Sequence, residues 1–326
     1  MKDIRKDLTG QSSNIILYAC GLYYIIAALT TPGFFTVNNT WNLLYNWLPL
    51  LIVAIGQTFV ILTAGIDLSV TSIIAVSSVV GGYLMSSDYS PLGNTTLAIV
   101  AGVVGMLLSG IVIGFINGFA VAKLKMPAFM VTLTSLMFFS GFVVWLTTSQ
   151  NIYNLPEAFV NLPYSTFLWI PVPLWIGLLV LLLAYLVLNR SLYGEWIYAV
   201  GVSPKTSRIS GVNVSFTLIL VYVISGMCAA VGAVLYTARL ETGSPVMGQN
   251  VLLDVIGAVV IGGTSLFGGK GLLQWTVAGA FFMTMLDNSL NLAGLSFFLI
   301  MIVKGIIILL AALLNVLRER ITLTHA

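Results

Sequence analysis

The sequence has very little charge: Asp, Glu, Lys and Arg make up only 7% of its 326 residues. Soluble globular domains carry about 25% charged residues, so that class of protein is excluded. Cysteine and histidine are almost missing, with two cysteines and one histidine. Cys20 and Cys228 lie inside apolar runs, where we expect buried packing residues and no disulfide. His325 lies in a polar tail, so we expect no metal centre and no catalytic histidine.

Apolar residues dominate instead, at 59% of the chain, and the mean hydropathy is +1.06. They form long runs, unlike the short alternating segments of a membrane β-barrel, and helices satisfy their own backbone hydrogen bonds in lipid. The sequence therefore predicts an all-α, polytopic membrane protein with one transmembrane domain over residues 1–326, in contact with lipid and with no nucleic-acid partner. Runs of about 18 to 25 apolar residues predict ten transmembrane helices, at residues 14–31, 43–64, 69–86, 95–122, 128–148, 172–188, 215–237, 252–266, 272–290 and 295–317.

The basic residues predict the orientation, because Lys and Arg favour the cytoplasmic side of a membrane. With ten spans and the amino end inside, 11 of the 13 basic residues fall in cytoplasmic segments, and only Arg239 and Lys304 do not. We therefore predict that both termini are cytoplasmic, with tails at residues 1–13 and 318–326. Residues 149–170 have no basic side chain and lie outside. They form either a structured cap that receives a soluble partner or a plain connecting loop.

Residues 190–214 carry both signs of charge between two apolar runs, and they lie inside in this orientation. Ser203 is a good helix N-cap, Pro204 suits the first helical position, and Gly211 suits the left-handed residue that ends a helix. The pattern predicts a helix of about two turns, which is marginal on its own in water. We therefore expect it to pack against another protein. The alternative is a capped surface turn with no partner.

Charged side chains in a membrane are costly, so Asp67, Asp254, Asp287 and Lys304 must each be paired, wet or near an interface. Asp67 lies between two spans, where it can cap the following helix or line a transport pathway. Lys304 can neutralise Asp287 or Asp254. Asn117 lies beside small residues at every fourth position, so it either bonds between helices or contacts a solute. The small residues are Gly110, Gly114, Gly118 and Ala122.

Residues 261–271 are rich in glycine (IGGTSLFGGKG), which invites comparison with a phosphate-binding loop. The comparison fails, because the first glycine of that motif would be Thr264 and its final Ser or Thr would be Gly271. We predict a tight cytoplasmic turn. The sequence offers no other nucleotide-binding loop, no metal-ligand cluster and no nucleophile with a base, so we expect no catalytic residue and no enzyme activity from this chain alone.

The motifs together resemble the permease subunit of bacterial ribose-type ABC sugar importers. The similarity runs in order from about residue 30 to residue 312. The matching stretches are residues 32–36 (PGFFT) with Asn38 and Asn39, 62–70 (LTAGIDLSV), 198–201 (YAVG), 208–214 (RISGVNV), 253–266 (LDVIGAVVIGGTSL), 268–271 (GGKG), 288–292 (NSLNL) and 303–305 (VKG).

The resemblance implies an importer of the bacterial inner membrane. Two permease subunits would form the pathway, a cytoplasmic ABC ATPase would bind ATP and Mg²⁺, and an extracytoplasmic binding protein would deliver the solute. Residues 190–214 would be the coupling segment that docks on the ATPase, and this chain would bind no cofactor. The residues implied in coupling are Ala199, Gly201, Ser203, Pro204, Lys205, Arg208 and Gly211. The residues predicted along the solute pathway are Asp67, Asn117 and Asp254.

The chain departs from the family pattern at Thr71 and Glu195, at Val202 and Ser203, and at Thr206 and Ser207. Most of these positions lie in the coupling segment, so a specialised ATPase, or a second, non-identical permease subunit in place of a homodimer, stays open. The family transports pentoses, hexoses and related small polar molecules, and no residue here selects among them. Two other classes stay open. One is an ion-driven secondary transporter whose four membrane charges form a proton or sodium site, and the other is a non-transporting scaffold.

Overall fold

The structure is a computed structural model that describes residues 15–93 and 95–324, with side chains for residues 16–93 and 95–314. The predicted tail at residues 1–13 lies outside this range. The helices in the described part are α1 Ile15–Thr30, α2 Val37–Leu62, α3 Val70–Met85, α4 Thr96–Ala122, α5 Ala128–Leu146, α6 Glu157–Val160, α7 Val172–Arg190, α8 Leu192–Val202, α9 Pro204–Ile209, α10 Val214–Leu240, α11 Val251–Ile261, α12 Leu273–Leu292 and α13 Phe297–Thr324.

Every one of the ten predicted apolar segments coincides with one of these helices. Six helices in the described residues are long and apolar enough to cross a membrane: α2, α4, α5, α7, α10 and α13. The mostly helical, membrane-spanning fold is thus confirmed. The count of ten spans and the orientation of the termini stay predictions. The final helix continues to Thr324 through most of the predicted tail at residues 318–326.

Two predicted spans are shorter than the sequence suggested. Helix α11 ends at Ile261 after 11 residues, so it is about 17 Å long, against about 30 Å for the hydrocarbon core of a bilayer. It ends there because Gly262 is its C-cap and Gly263 has a positive φ of 80°, which starts a turn. Helix α3 has 16 residues and follows an irregular segment, residues 63–69. Both helices adjoin irregular segments of the chain.

Helices α2 and α10 form the centre of the fold. In the most apolar stretch of each helix, 78% of the residues of α2 and 61% of those of α10 are buried, against 11% in α13. The predicted small-residue stripe of α4 lies against α10: a Cβ at Gly110 would come within 2.7 Å of the Ala230 Cβ, and one at Gly118 within 2.8 Å of the Ile219 Cα. The stripe therefore serves close helix packing, as predicted.

The segment between α5 and α7 is structured. It contains α6, a 3₁₀ turn at Leu162–Tyr164, and a two-residue antiparallel ladder in which β1 (Thr166–Phe167) pairs with β2 (Ile170–Pro171). Ile152 and Gly243 exchange backbone hydrogen bonds of 2.8 and 2.9 Å, which join this segment to the connection after α10. Of the two expectations for residues 149–170, the structure favours the cap over the plain loop.

Candidate functional site

The break between α2 and α3 crosses the middle of the buried core. Ala64 in this break has a positive φ of 59°, which is uncommon for a residue with a Cβ. The backbone of the break is satisfied by side chains from neighbouring helices. With its amide oriented to match donors with acceptors, Gln57 donates to the Asp67 carbonyl at 3.1 Å and accepts from the Asp67 N–H at 3.2 Å. The Thr132 hydroxyl donates to the Ile66 carbonyl at 3.0 Å.

The Asp67 carboxylate is fully buried in this break and lies among hydroxyl donors. It accepts from the backbone N–H of Ser69 at 3.0 Å, from the Ser69 hydroxyl at 2.5 Å and from the Ser225 hydroxyl at 2.8 Å. The predicted role as the cap of the next helix needs correction. Ser69 is the N-cap residue of α3, and Asp67 instead joins the break to α10 through Ser225.

Asn117 extends the same network to α4. Its amide donates to the Ser69 hydroxyl at 2.8 Å, and its side chain is almost fully buried. This is the interhelical hydrogen bond that the sequence allowed as one of two roles. Because Asp67 and Asn117 are 0% and 1% exposed in this conformation, contact with a solute would require the break to rearrange.

A second cluster of charge joins α11, α12 and α13. The Lys304 ammonium lies 3.0 Å from Asp254 Oδ2 and 2.5 Å from Asp287 Oδ1. The side chains of Lys304 and Asp254 are only 12% and 19% exposed, whereas that of Asp287 is 45% exposed. Lys304 therefore pairs with both of the carboxylates that the sequence offered as alternatives. The second oxygen of Asp254, Oδ1, is buried and has no hydrogen-bond partner among the described residues.

A cavity of about 440 Å³ lies where α10 ends and α11 begins. Asn151, Tyr236, Thr242, Ser244 and Asn250 contribute polar groups to its lining. Asp254 does not line it, but it lies one helical turn after Asn250 in α11. The cavity is large enough for a monosaccharide, and its hydroxyl and amide groups can bond to sugar hydroxyls.

The coupling segment has the capped short helix that the sequence predicted. The Ser203 hydroxyl accepts from the Thr206 N–H at 3.2 Å, Pro204 is the first residue of α9, and Gly211 follows the helix with a φ of +84°. Lys205 and Arg208 are exposed on this helix, whereas Ser207 is buried.

Large apolar side chains are exposed around the same helix. Val202 is 74% exposed and Ile209 is 80% exposed, and Leu192 at the start of α8 is also exposed. Together with Lys205 and Arg208 they form an apolar surface with basic neighbours, which we call the coupling surface. A surface of this composition is typical of a contact with another protein that carries acidic groups.

Two further residues of the predicted coupling set lie near the end of α8. Gly201 is buried against the end of α2, whereas Ala199 is half-buried and its carbonyl accepts from the Ser203 N–H at 3.0 Å. Gly201 therefore does not form the outer surface of the segment. Within the described ranges, no three His, Cys, Asp or Glu side chains come together in a group that could hold a metal ion.

Comparison with known proteins identifies the fold. A family model described as "Branched-chain amino acid transport system / permease component" matches residues 39–312. The chain is 37% identical to the ribose import permease protein RbsC of Escherichia coli strain K12 over 300 residues, which are 90% of this chain and 91% of the relative. It is 37% identical to RbsC of Bacillus subtilis strain 168, covering 89% and 88% of the two chains, and 32% identical to the D-allose transport system permease protein AlsC of E. coli K12, covering 89% and 87%.

The chain belongs to this permease family. The resemblance that its motifs predicted is confirmed, and the protein is a multi-pass membrane permease whose relatives carry sugars. No solved structure matches the chain.

Several residues of this permease's buried network escaped the sequence analysis. Gln57 and Thr132 complete the backbone of the break, and Ser225 binds Asp67 from a helix 158 residues further along the chain. The sequence does point to Gln57, since an amide inside an apolar run must find hydrogen-bond partners in the membrane. It does not point to Ser225 or Thr132, because small hydroxyl residues are common in membrane helices and bond to their own backbone.

Proposed function

We propose that this permease is the membrane-spanning subunit of an ATP-driven importer of a sugar or a similar small polar solute in the bacterial inner membrane. A second permease subunit completes the pathway, a separate cytoplasmic ABC ATPase supplies the energy, and an extracytoplasmic binding protein delivers the solute. The observation that carries the proposal is the coupling surface, since a capped helix end that combines exposed basic and apolar side chains suits a contact with another protein.

The relatives support sugars as the solute class. The description of the family model names branched-chain amino acids, but the relatives at 30 to 37% identity are permeases for ribose, D-allose and L-arabinose. All three are neutral polyhydroxyl molecules. The cavity near Asn250 is lined mostly by apolar surface, and the hydroxyl and amide side chains among its lining residues are the groups that could bond to a sugar.

In this proposal Asp254 lies along the route of the solute, and Asp67 and Asn117 hold the interrupted helix that moves during transport. The Asp254 oxygen without a partner can accept a hydrogen bond from a sugar hydroxyl when the cavity extends by one helical turn. The alternative of an ion-driven transporter gains little support here. The Asp67 carboxylate already accepts hydrogen bonds from two serine hydroxyls, and Lys304 already neutralises the Asp254 carboxylate.

The proposal is tested by solute uptake into proteoliposomes. The permease is reconstituted with its partner ATPase and binding protein, and uptake of radiolabelled ribose, allose and arabinose is measured. We expect uptake to require ATP on the side of the ATPase and to persist when ionophores collapse the proton and sodium gradients. Uptake by the permease alone, driven by an imposed ion gradient, would contradict the proposal.

A further inference from the structure

The end of α8 packs backbone against backbone on the end of α2. Gly201, the penultimate residue of α8, is buried, and a Cβ added to it would overlap the carbonyl oxygen of Leu62 and lie 2.5 Å from the backbone nitrogen of Gly269. No flexible side chain is among these nearest atoms, so nothing can move aside. Only glycine fits at position 201 while α8 stays where it is.

The glycine-rich turn after α11 also packs against the ends of α2 and α8. The Gly269 N–H donates to the Leu62 carbonyl at 2.9 Å, and this is the same oxygen on which Gly201 packs. Gly268 has a φ of +82°, and a Cβ there would lie 2.8 Å from the Ala64 nitrogen and 2.9 Å from the Gly201 carbonyl oxygen. The end of α8, the end of α2 and the turn thus meet at their backbones. We call this contact the glycine junction, formed by Leu62, Ala64, Gly201, Gly268 and Gly269.

A side chain of α8 adds a second tie to the same turn. The Tyr198 hydroxyl lies one helical turn before Val202 and donates to the Gly271 carbonyl at 2.8 Å. Helix α8 therefore holds the turn at two places, while much of the Leu192 and Val202 side chains remains exposed.

The glycine junction leads directly into the interrupted helix. Leu62 is the last residue of α2, and Ala64, with its left-handed φ, is the second residue of the break that holds Asp67. Gln57 and Ser225 fix Asp67 from both sides. Where two elements pack backbone against backbone, a displacement of one element moves the other, because no change of side-chain rotamer can absorb it. A shift of α8 must therefore move the break or open the junction.

We propose that Gly201 is a positioning residue that locks the coupling segment to the intramembrane break, so that α8, Leu62 and the glycine turn move as one rigid body during transport. The proposal rests on the proposed coupling to an ATPase, and it adds the path by which a movement at the coupling surface reaches Asp67. The same body includes the turn that follows α11, so the helix that carries Asp254 moves with it.

The first test is Gly201→Ala in the complete transporter, with Gly141→Ala as the matched control, because no atom lies within 4 Å of a Cβ at position 141. We expect the ATPase to co-purify at wild-type yield with Gly201→Ala, since position 201 is not on the coupling surface. Solute transported per ATP hydrolysed should fall by about tenfold or more, the size of a typical coupling effect between sites. The control should match wild type in both measurements.

Wild-type transport per ATP in a folded Gly201→Ala permease would overturn the proposal. Loss of ATPase co-purification in that variant would also overturn it, because it would place Gly201 in the docking surface. If the wild-type permease itself fails to co-purify with the ATPase, the proposed function fails, and this outcome is distinct from both.

Removal of the Tyr198 hydroxyl gives a second test that does not depend on how Gly201→Ala folds. Tyr198→Phe keeps the ring but removes the hydrogen bond to the Gly271 carbonyl, one of the two places where α8 holds the turn. If α8 and the glycine turn move as one body, solute transported per ATP hydrolysed should fall by about threefold or more, while the ATPase co-purifies at wild-type yield. Wild-type transport per ATP in Tyr198→Phe would overturn the proposal.

Discussion

Individual residues in the membrane explain why this permease tolerates charge there. Lys304 forms ion pairs with both Asp254 and Asp287. The three side chains come from three helices, and their net charge is −1. A buried ion pair of this kind adds little net stability, because desolvation offsets the attraction between the charges. Removal of one partner is costly, since it leaves an uncompensated charge in a medium of low polarity.

We therefore predict that Lys304→Met lowers the free energy of unfolding by about 3 kcal/mol, the typical cost of breaking a buried pair from one side. The matched control is Asp287→Asn, which keeps the better buried pair of Lys304 with Asp254. It should cost less than about 1 kcal/mol, as exposed pairs do. Thermal unfolding of both variants in detergent checks this prediction, and an unchanged melting temperature for Lys304→Met would contradict it.

At this scale the sequence predicted which residues matter better than it predicted their partners. The insertion cost of charge singled out Asp67, Asp254, Asp287 and Lys304, and all four have charged or hydroxyl partners in the structure. The particular partners depend on which helices are neighbours. Ser225 reaches Asp67 only because α10 crosses the break, and no local pattern in the sequence contains that information.

The helices themselves follow from local patterns with few exceptions. The apolar runs located ten of the helices, and cap chemistry located the start of α9 at Pro204, because Ser203 and Pro204 have strong local preferences. The length of α11 was not predictable in the same way. It ends at Ile261, before Gly262 and Gly263, whereas the predicted span ran on to residue 266, because hydropathy alone does not show where the helix stops.

The orientation of these elements can be tested with single cysteines in a background of Cys20→Ala and Cys228→Ala. Thr206→Cys and Glu157→Cys are suitable because both positions are exposed, whereas the neighbouring Ser207 is buried. We expect an impermeant thiol reagent to label Glu157→Cys in intact cells, and to label Thr206→Cys only after the membrane is opened. Labelling of Thr206→Cys from outside would require a different number of spans.

In the described residues, a membrane-embedded core carries the coupling surface, which membrane packing does not explain. Helices α2 and α10 hold the core, and the break in the crossing of α2 and α3 is bound to both the coupling segment and the turn after α11. This arrangement fits a transporter whose energy comes from another protein, since α9 presents Lys205 and Arg208 for charge-assisted hydrogen bonds to acidic groups of a partner. The central claim is that α9 docks on the ATPase and transmits the movement of the ATPase to the membrane-embedded core.

The measurement that tests this claim most directly is uptake together with co-purification of the ATPase for Arg208→Glu and Gly211→Val at matched expression. Arg208→Glu reverses a charge on the coupling surface, and Gly211→Val places a β-branched residue at a φ of +84°, where it is strained. Lys123→Glu, an exposed charge reversal outside the coupling segment, is the control. We predict that both variants reach the membrane folded but lose ATPase binding and uptake by about tenfold or more, while the control changes by less than about twofold, as most exposed substitutions do. Wild-type uptake and wild-type co-purification in both Arg208→Glu and Gly211→Val would contradict the account.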